Sequence, residues 1–527
     1  MASDFIISRR FFTLGLVAAG GSAWLGCSSS DSSAGAPAGR QNFILQPLAD
    51  AKLTTERIIV PKQARESKPD ARVPMDPSSR EALLALGYGA YDWGAGEPVL
   101  PRMPDGTSTP PASGANAKRL VRLVHMTDVH VTDDESPIRM ELFDGAPPLD
   151  GAARPQAPFE GRMLNAAVRT INVLHTKDPV DFVLVTGDVC DAAQQNEVTW
   201  FMQIMDGVDS VACDSGDVND PVPGTGNDPK DPFQAEGLKP PWFFCMGNHD
   251  ALVLGITKIT AANQATATGD NSVGGFTDWS QPGGVVRKGE DTPDPLRKPL
   301  MRDEMIPLLS SVGGGHGVAG TAVANRVCYT MDVEGTPLRF IIHDTAAEGG
   351  GADGVVRKSV VDAFLKPALD AAKAEGKWVI LASHHPISAL SDGSGADAET
   401  QADAMLPGDV MTLLASYGNV ILSVTGHTHE HVVKWLDGGS GKGFWEIQTS
   451  SLIEFPNQMR MIEVTDEDNG YLSVQLVGID FATDGDDVAE QGRVYAIVDH
   501  TSGWGAGSAG STSDRNVKLY VPVPATT

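Results

Sequence analysis

Five short polar clusters carry the residue types that bind and use hard divalent cations. In chain order they are Asp128-x-His130, Gly187-Asp188-x-x-Asp191, Gly247-Asn248-His249-Asp250, His384-His385-Pro386 and Gly426-His427-x-His429. Carboxylates, imidazoles and one amide oxygen make up the donor set suited to first-row divalent ions. Asparagine is an uncommon ligand, but its oxygen binds a hard ion without adding negative charge. Two ions held close together need a shared group, and a carboxylate has two oxygens to offer. A histidine beside such a centre is free to face a substrate. On an extended segment His427 and His429 point to the same side, which makes joint ligation easy. Any one cluster reads equally well as an ordinary turn or cap after a strand. The set of five in order does not.

Each cluster follows an apolar run with strand character: residues 120–126, 181–186, 242–245, 378–382 and 419–424. In open α/β sheets the C-terminal strand edge is where sites form. Helical spacing of Met163, Ala167, Val168, Ile171 and Leu174 predicts a helix over 162–175. Further helices are expected up to about Met205, over 358–374 with Pro367 as a kink or break, and near 410–416. More strands are expected at 338–342, around Trp445, Met461 and Val474, and at 517–523. Residues 207–241 and 251–326 read as long loop insertions and are the expected walls of a substrate pocket. His316, in a glycine-rich stretch of the second insertion, reads as part of a plain loop, the alternative being a reach over the site. The acids between Asp214 and Asp231 read as solvated loop in preference to a calcium site.

With their order and strand context, the five motifs resemble the calcineurin-like metallophosphoesterase superfamily over roughly residues 119–477. The resemblance implies an α/β fold, a four-layer α/β/β/α sandwich of two mixed sheets with long loop insertions. Carried over by position, it implies one metal held by Asp128, His130, Asp188 and His429. The second would be held by Asp188, Asn248, His384 and His427, so that Asp188 bridges. His384 is favoured over His385 because the family's usual order is ligand, one residue, proline. His249 and Asp250 are the expected catalytic pair. His249 would contact phosphate and protonate the leaving oxygen, while Asp250, like Asp191, would orient a loop or an imidazole. The implied cofactors are two divalent or mixed-valence ions, Mn, Fe or Zn. Purple acid phosphatases carry tyrosine where this chain has Asp191, so a tyrosinate-ligated ferric site is not expected. The implied activity is hydrolysis of phosphomonoesters or phosphodiesters by a hydroxide activated between the two metals. A non-catalytic, metal-containing binding lipoprotein at the cell surface is the alternative. A metallo-β-lactamase-type hydrolase lacks its H-x-H-x-D-H cluster here.

The 527 residues carry a net charge of −28. That excludes a general binder of nucleic acid or anionic membrane, both of which need basic surface, and, for the phosphate ester that the resemblance implies as the partner, it favours a small molecule over a polymer. Five cysteines without a CxxC pair exclude an obvious zinc knuckle or disulfide scaffold. Residues 1–39 read as a twin-arginine export signal, Ser8-Arg9-Arg10-Phe11-Phe12 followed by an apolar run to Leu25, and a serine-rich linker. Leu25-Gly26-Cys27 resembles a lipoprotein cleavage site, with cleavage near Ala36 or Ala38 as the alternative. The expected location is the periplasm, free or anchored at Cys27. Residues 40–117 read as an extended arm, including a short helix over 79–86 capped by Ser78 or Ser79. Residues 118–480 read as the metallophosphoesterase domain and 481–527 as a C-terminal extension packed on it.

Overall fold

The computed structural model describes residues 5–7, 40–65, 77–144, 151–311, 315–394, 401–438, 442–503 and 509–524. In chain order the strands of its two large sheets are β1 (Leu100–Arg102), β2 (Lys118–Met126), β3 (Phe182–Val185), β4 (Trp242–Phe244), β5 (Tyr329–Val333), β6 (Leu338–Ile342), β7 (Trp378–Ala382), β8 (Val420–Thr425), β9 (Val432–Leu436), β10 (Phe444–Gln448), β11 (Gln458–Asp466), β12 (Tyr471–Asp480) and β13 (Val517–Pro522). The first sheet runs β1-β13-β12-β11-β2-β3-β4. The second runs β5-β6-β7-β8-β10-β9, with Phe5–Ile7 parallel to β5 at its free edge. That short strand lies ahead of residue 40, where no part of the fold was expected. An uncovered edge offers unpaired amides and carbonyls to any extended segment within reach.

Within these mixed sheets, β2, β3 and β4 are parallel neighbours, and so are β7, β8 and β10. Their C-terminal ends therefore lie side by side in each sheet. The second sheet is buried on both faces and sorts its side chains with period two. Phe340, Ile342, Ile380, Ala382, Leu422 and Val424 join the core shared with the first sheet. Ile341, Val379 and Leu381 pack instead against Phe364, Leu369 and Leu414 of the outer helices. Phe182 of β3 meets Phe340 of β6 edge-on at 5.2 Å, fastening one sheet to the other. On the far side of the first sheet lie α1 (Glu160–Lys177), α2 (Gln195–Asp206) and α3 (Asp487–Ser502). The four expected layers are present.

Several elements differ from the sequence reading. The short helix of the arm begins at Pro77, so Ser79 lies inside it and does not cap it. The segment over 358–374 stays helical through Pro367 by way of a π-turn at Val361–Leu365; a proline lacks the amide a continuous α-helix needs, and a wider turn absorbs the loss. The second insertion contains a hairpin, Asn271–Asp278 with Val285–Glu290, and the helices Ala261–Ala267 and Arg302–Ser310. Helix α3 has no apolar stripe to announce it: Arg493 and Asp499 are buried along it. At its start Asp486 accepts from the amide of Ala489 at 3.0 Å and holds Arg162 of α1 at 2.7 Å.

The two insertions are fastened beside the first polar cluster by buried cations. Lys230 lies 2.8 Å from Asp134 and 2.6 Å from Glu135. Arg297 lies 3.2 Å from Asp133 and 2.6 Å from Asp291. Removing one partner of such a pair leaves the other charge stranded, typically at a cost of about 3–5 kcal/mol. Arg297→Met is expected to lose that much stability, read as a lower unfolding midpoint in urea; an unchanged midpoint would show that Asp133 is satisfied without it. Cys190, Cys213, Cys245 and Cys328 are buried and unpaired. Among the described residues no helix is long and apolar enough to cross a membrane. Residues 8–39, with the twin-arginine motif and Cys27, lie outside the described residues.

Candidate metal centre

All five clusters meet where the C-terminal ends of β2, β3 and β4 face those of β7 and β8. The turns are tied to one another through the backbone. Val129 and His130 both donate amides to Asp188 O, at 2.8 and 2.9 Å, and Gly426 donates to His384 O at 2.9 Å. The amide of His427 donates to the Asp128 carboxylate at 3.0 Å. Close approach explains two glycines: a β-carbon on Gly247 would collide with the Asp188 carboxylate, and one on Gly426 with Thr127 Oγ1. Asp128, His130, Asp188, His427 and His429 all have left-handed backbones, with φ of 52°, 47°, 52°, 73° and 59°. Such a conformation costs a non-glycine residue roughly 1–3 kcal/mol and persists only where the surroundings impose it. Five in one site mark a place where geometry outweighs local preference.

The donor atoms form two half-sites that share Asp188. In the first, His130 Nδ1 lies 3.2 Å from Asp191 Oδ1 and His429 Nδ1 lies 2.8 Å from Glu454 Oε2. A carboxylate on Nδ1 fixes a proton there and turns Nε2 inward as the nitrogen that can bind a metal. These two Nε2 atoms then face each other at 3.2 Å, with Asp128 Oδ1 3.3 Å from His429 Nε2. Two ring nitrogens this close beside a carboxylate call for positive charge between them, a shared proton or a cation. In the second half-site, His384 gives Nδ1 to Thr186 O at 2.6 Å, and Asn248 donates its amide to Gly255 O at 3.0 Å. That leaves His384 Nε2 and Asn248 Oδ1 buried without a hydrogen-bond partner. His384 Nε2 is 3.1 Å from Asp188 Oδ2, close but not aligned to bond it. Buried polar atoms are rarely left unmatched, and a divalent ion is the partner this donor set fits.

Electrostatics agree. Burial raises the Asp128 carboxyl, but His429 and His384 outweigh it and hold it at about 2. Burial likewise opposes charge on His384 and His429, yet Asp188 lifts the first to about 9 and Glu454 with Asp128 lifts the second to about 10. The centre thus favours positive charge. Burial pushes His427 down to about 3, leaving it the neutral ring a metal requires.

His385 has no lone pair to give, because Nδ1 meets Thr345 Oγ1 at 2.8 Å and Nε2 meets Ala352 O at 3.0 Å. His249 is held through Nδ1, 2.7 Å from Asp191 O and 3.3 Å from Asp191 Oδ1. Burial opposes its charge, but Asp188 and Asp191 outweigh that and raise its pKa. Its side chain keeps 17 % exposure while His130 and His384 have none, so it borders the opening of the site. Asp250, expected to orient a loop or an imidazole, faces the loop amides. Its carboxylate accepts from the amides of Asp188, Gly247 and Val189 at 2.9, 2.8 and 2.9 Å, and it fastens one turn to the other. It is a positioning residue. Nor does His316 reach the site; it stacks on Trp242 at 3.4 Å.

Two contributors were not foreseen. Glu454 follows β10, and the turn that carries it is stapled to β2 by Ser451 Oγ donating to Asp128 O at 2.7 Å. The strand-end criterion that located the other clusters applies to it. Arg154, from the segment ahead of α1, lies 2.7 Å from Glu454 and 3.3 Å from Asp191. No local pattern distinguishes it.

A model of the calcineurin-like phosphoesterase family matches residues 121–431. No match was found among curated protein sequences. Similar solved structures include a dimetal phosphatase from Danio rerio, 12 % identical, covering 69 % of this chain and all of that one with a TM-score of 0.38. Another is the purple acid phosphatase PPD1 from yellow lupin (Lupinus luteus) seeds, 13 % identical, covering 70 % of this chain and 52 % of that one with a TM-score of 0.32. A third is GAP50, the anchor in the inner membrane complex of Plasmodium, at 12 %, 68 %, 84 % and 0.30. At these scores the likenesses carry no weight of their own. The family model, which spans more than half of the sequence and every cluster described above, places the chain in the calcineurin-like phosphoesterase family, as a metal-dependent phosphoester hydrolase.

Proposed function

We propose that the protein hydrolyses small-molecule phosphate esters, mono- or diesters, at a centre of two metal ions. One observation carries this reading: His384 Nε2 and Asn248 Oδ1 lie buried at the centre without a hydrogen-bond partner, while their opposite sides are held by the carbonyls of Thr186 and Gly255. Asp128, His130, Asp188 and His429 would hold one ion, and Asp188, Asn248, His384 and His427 the other. When bound, such a pair supplies the charge that acidifies water and stabilises a phosphate in displacement. That local charge also offsets the repulsion a chain of net charge −28 exerts on a phosphate. Asp191 fixes the His249 ring through Nδ1 and leaves Nε2 as the nitrogen that carries a proton to the leaving oxygen. Asp250 keeps the Asp188 and Asn248 turns in register.

The test is turnover of p-nitrophenyl phosphate, bis(p-nitrophenyl) phosphate and alkyl esters by protein loaded with Mn, Fe or Zn. Activity is expected only in loaded samples, lost to a chelator and restored by metal. Two bound ions with no turnover on any ester would support a non-catalytic binding protein instead. The twin-arginine motif and apolar run support a place outside the cytoplasm, and Cys27 supports a lipid anchor. Mass spectrometry of the mature N-terminus tests both, and an unmodified start beyond Cys27 rules the anchor out.

A further inference from the structure

We infer that Glu454, Arg154 and Asp191 form one positioning chain that sets the spacing of the opposed imidazoles, an inference resting on the two-metal reading above. The chain alternates in charge. Glu454 holds His429 Nδ1 with one oxygen at 2.8 Å and Arg154 Nε with the other at 2.7 Å. Arg154 Nη1 reaches Asp191 Oδ1 at 3.3 Å, and the same oxygen lies 3.2 Å from His130 Nδ1 and 3.3 Å from His249 Nδ1. Arg139 clamps the second oxygen of Asp191. One guanidinium thus joins the carboxylate behind His429 to the carboxylate behind His130 and His249.

The arrangement is rigid at both ends. Glu454 sits on the Ser451 turn, where Leu452 donates to Thr127 O at 3.3 Å and the Glu454 amide meets Ser451 Oγ at 3.3 Å. The position of Glu454 is therefore referred to the same β2 end that presents Asp128. Without Arg154, two carboxylates would face each other across a buried space and push apart, and each would carry its imidazole with it. Arg154 and Glu454 keep 10 % and 17 % side-chain exposure, so they stand at the border of the centre. They act through the histidines and touch no ligand atom directly.

Residues that orient metal-binding histidines typically contribute about 10–100-fold to metal affinity. The test uses the full chain as wild type, E454A, E454Q, R154M and the double variant E454A/R154M. Affinity for Zn or Mn is read by chelator competition and stoichiometry by elemental analysis. E454A and R154M are each expected to weaken one of the two ions by about 10–100-fold and leave the other unchanged. E454Q keeps an acceptor for His429 and its shape guards against misfolding, so it should lose less than E454A. The double variant should be little worse than the weaker single variant, because parts of one unit do not add. Raising the metal concentration should return the activity of E454A towards wild type. Wild-type affinity for both ions in E454A and R154M, or fully multiplicative losses in the double variant, would overturn the inference while leaving the two-metal reading intact. A wild-type protein that binds no pair of ions would overturn both.

Discussion

Asp188→Asn is expected to strip both ions from the protein and abolish turnover. Asp188 Oδ2 lies 3.1 Å from His384 Nε2 and 3.9 Å from His130 Nε2, between the two half-sites, while Oδ1 accepts the His249 amide at 2.8 Å. Burial raises its carboxyl, but His384 and His249 outweigh that and hold it ionised, well below the usual carboxylate range. A unit charge 4 Å away at an effective dielectric of about 20 is worth roughly 4 kcal/mol, or about 10³-fold in affinity for each ion. Asparagine preserves the shape and tolerates the left-handed backbone that Asp188 adopts. The loss would therefore be one of charge and not of fold. Metal content after gel filtration, beside an unchanged circular dichroism spectrum, reads it. Retention of both ions would show that Asp188 does not bridge.

His249→Ala separates acid catalysis from metal binding. His249 is not among the proposed ligands, so both ions should stay. On an alkyl ester, whose leaving oxygen needs a proton, kcat should fall by about 10²–10⁴-fold. With p-nitrophenyl phosphate the leaving group departs as a stable anion, and the loss should be far smaller. The ratio between the two substrates is the diagnostic quantity, since a general disturbance of the site lowers both alike. Full activity on the alkyl ester would remove His249 from the acid role.

Legibility in the sequence followed a physical rule. Asp128, His130, Asp188, Asn248, His384, His427 and His429 could be singled out because each stands at the end of an apolar run. A parallel strand cannot avoid presenting its last residues at the same sheet edge as its neighbours. Which face each residue of 340–342 takes was decided by the structure, Phe340 and Ile342 going to one core and Ile341 to the other. Other features had no local trace. Arg154 acquires its meaning from Asp191, 37 residues away, and from Glu454, 300 residues away. Helix α3 buries Arg493 against Glu490 and the turn that precedes the helix, and Asp499 against Gln156, so no apolar period marks it. Asp250 adjoins His249, and adjacency alone left open whether it would orient a loop or an imidazole. Its oxygens went to the amides of the neighbouring loop.

By itself, then, the sequence determined which donor types are available and at which strand ends they stand, because both follow from residue identity and period. Tertiary structure alone decided which atoms are free to bind. Of two adjacent histidines, His384 keeps a nitrogen without a hydrogen-bond partner and His385 does not, since Thr345 and Ala352 occupy the nitrogens of the second. His130 and His429 turn Nε2 towards one another only because Asp191 and Glu454 hold the opposite nitrogens. A tautomer is set by the hydrogen-bond partner, and the partners are brought in by the fold.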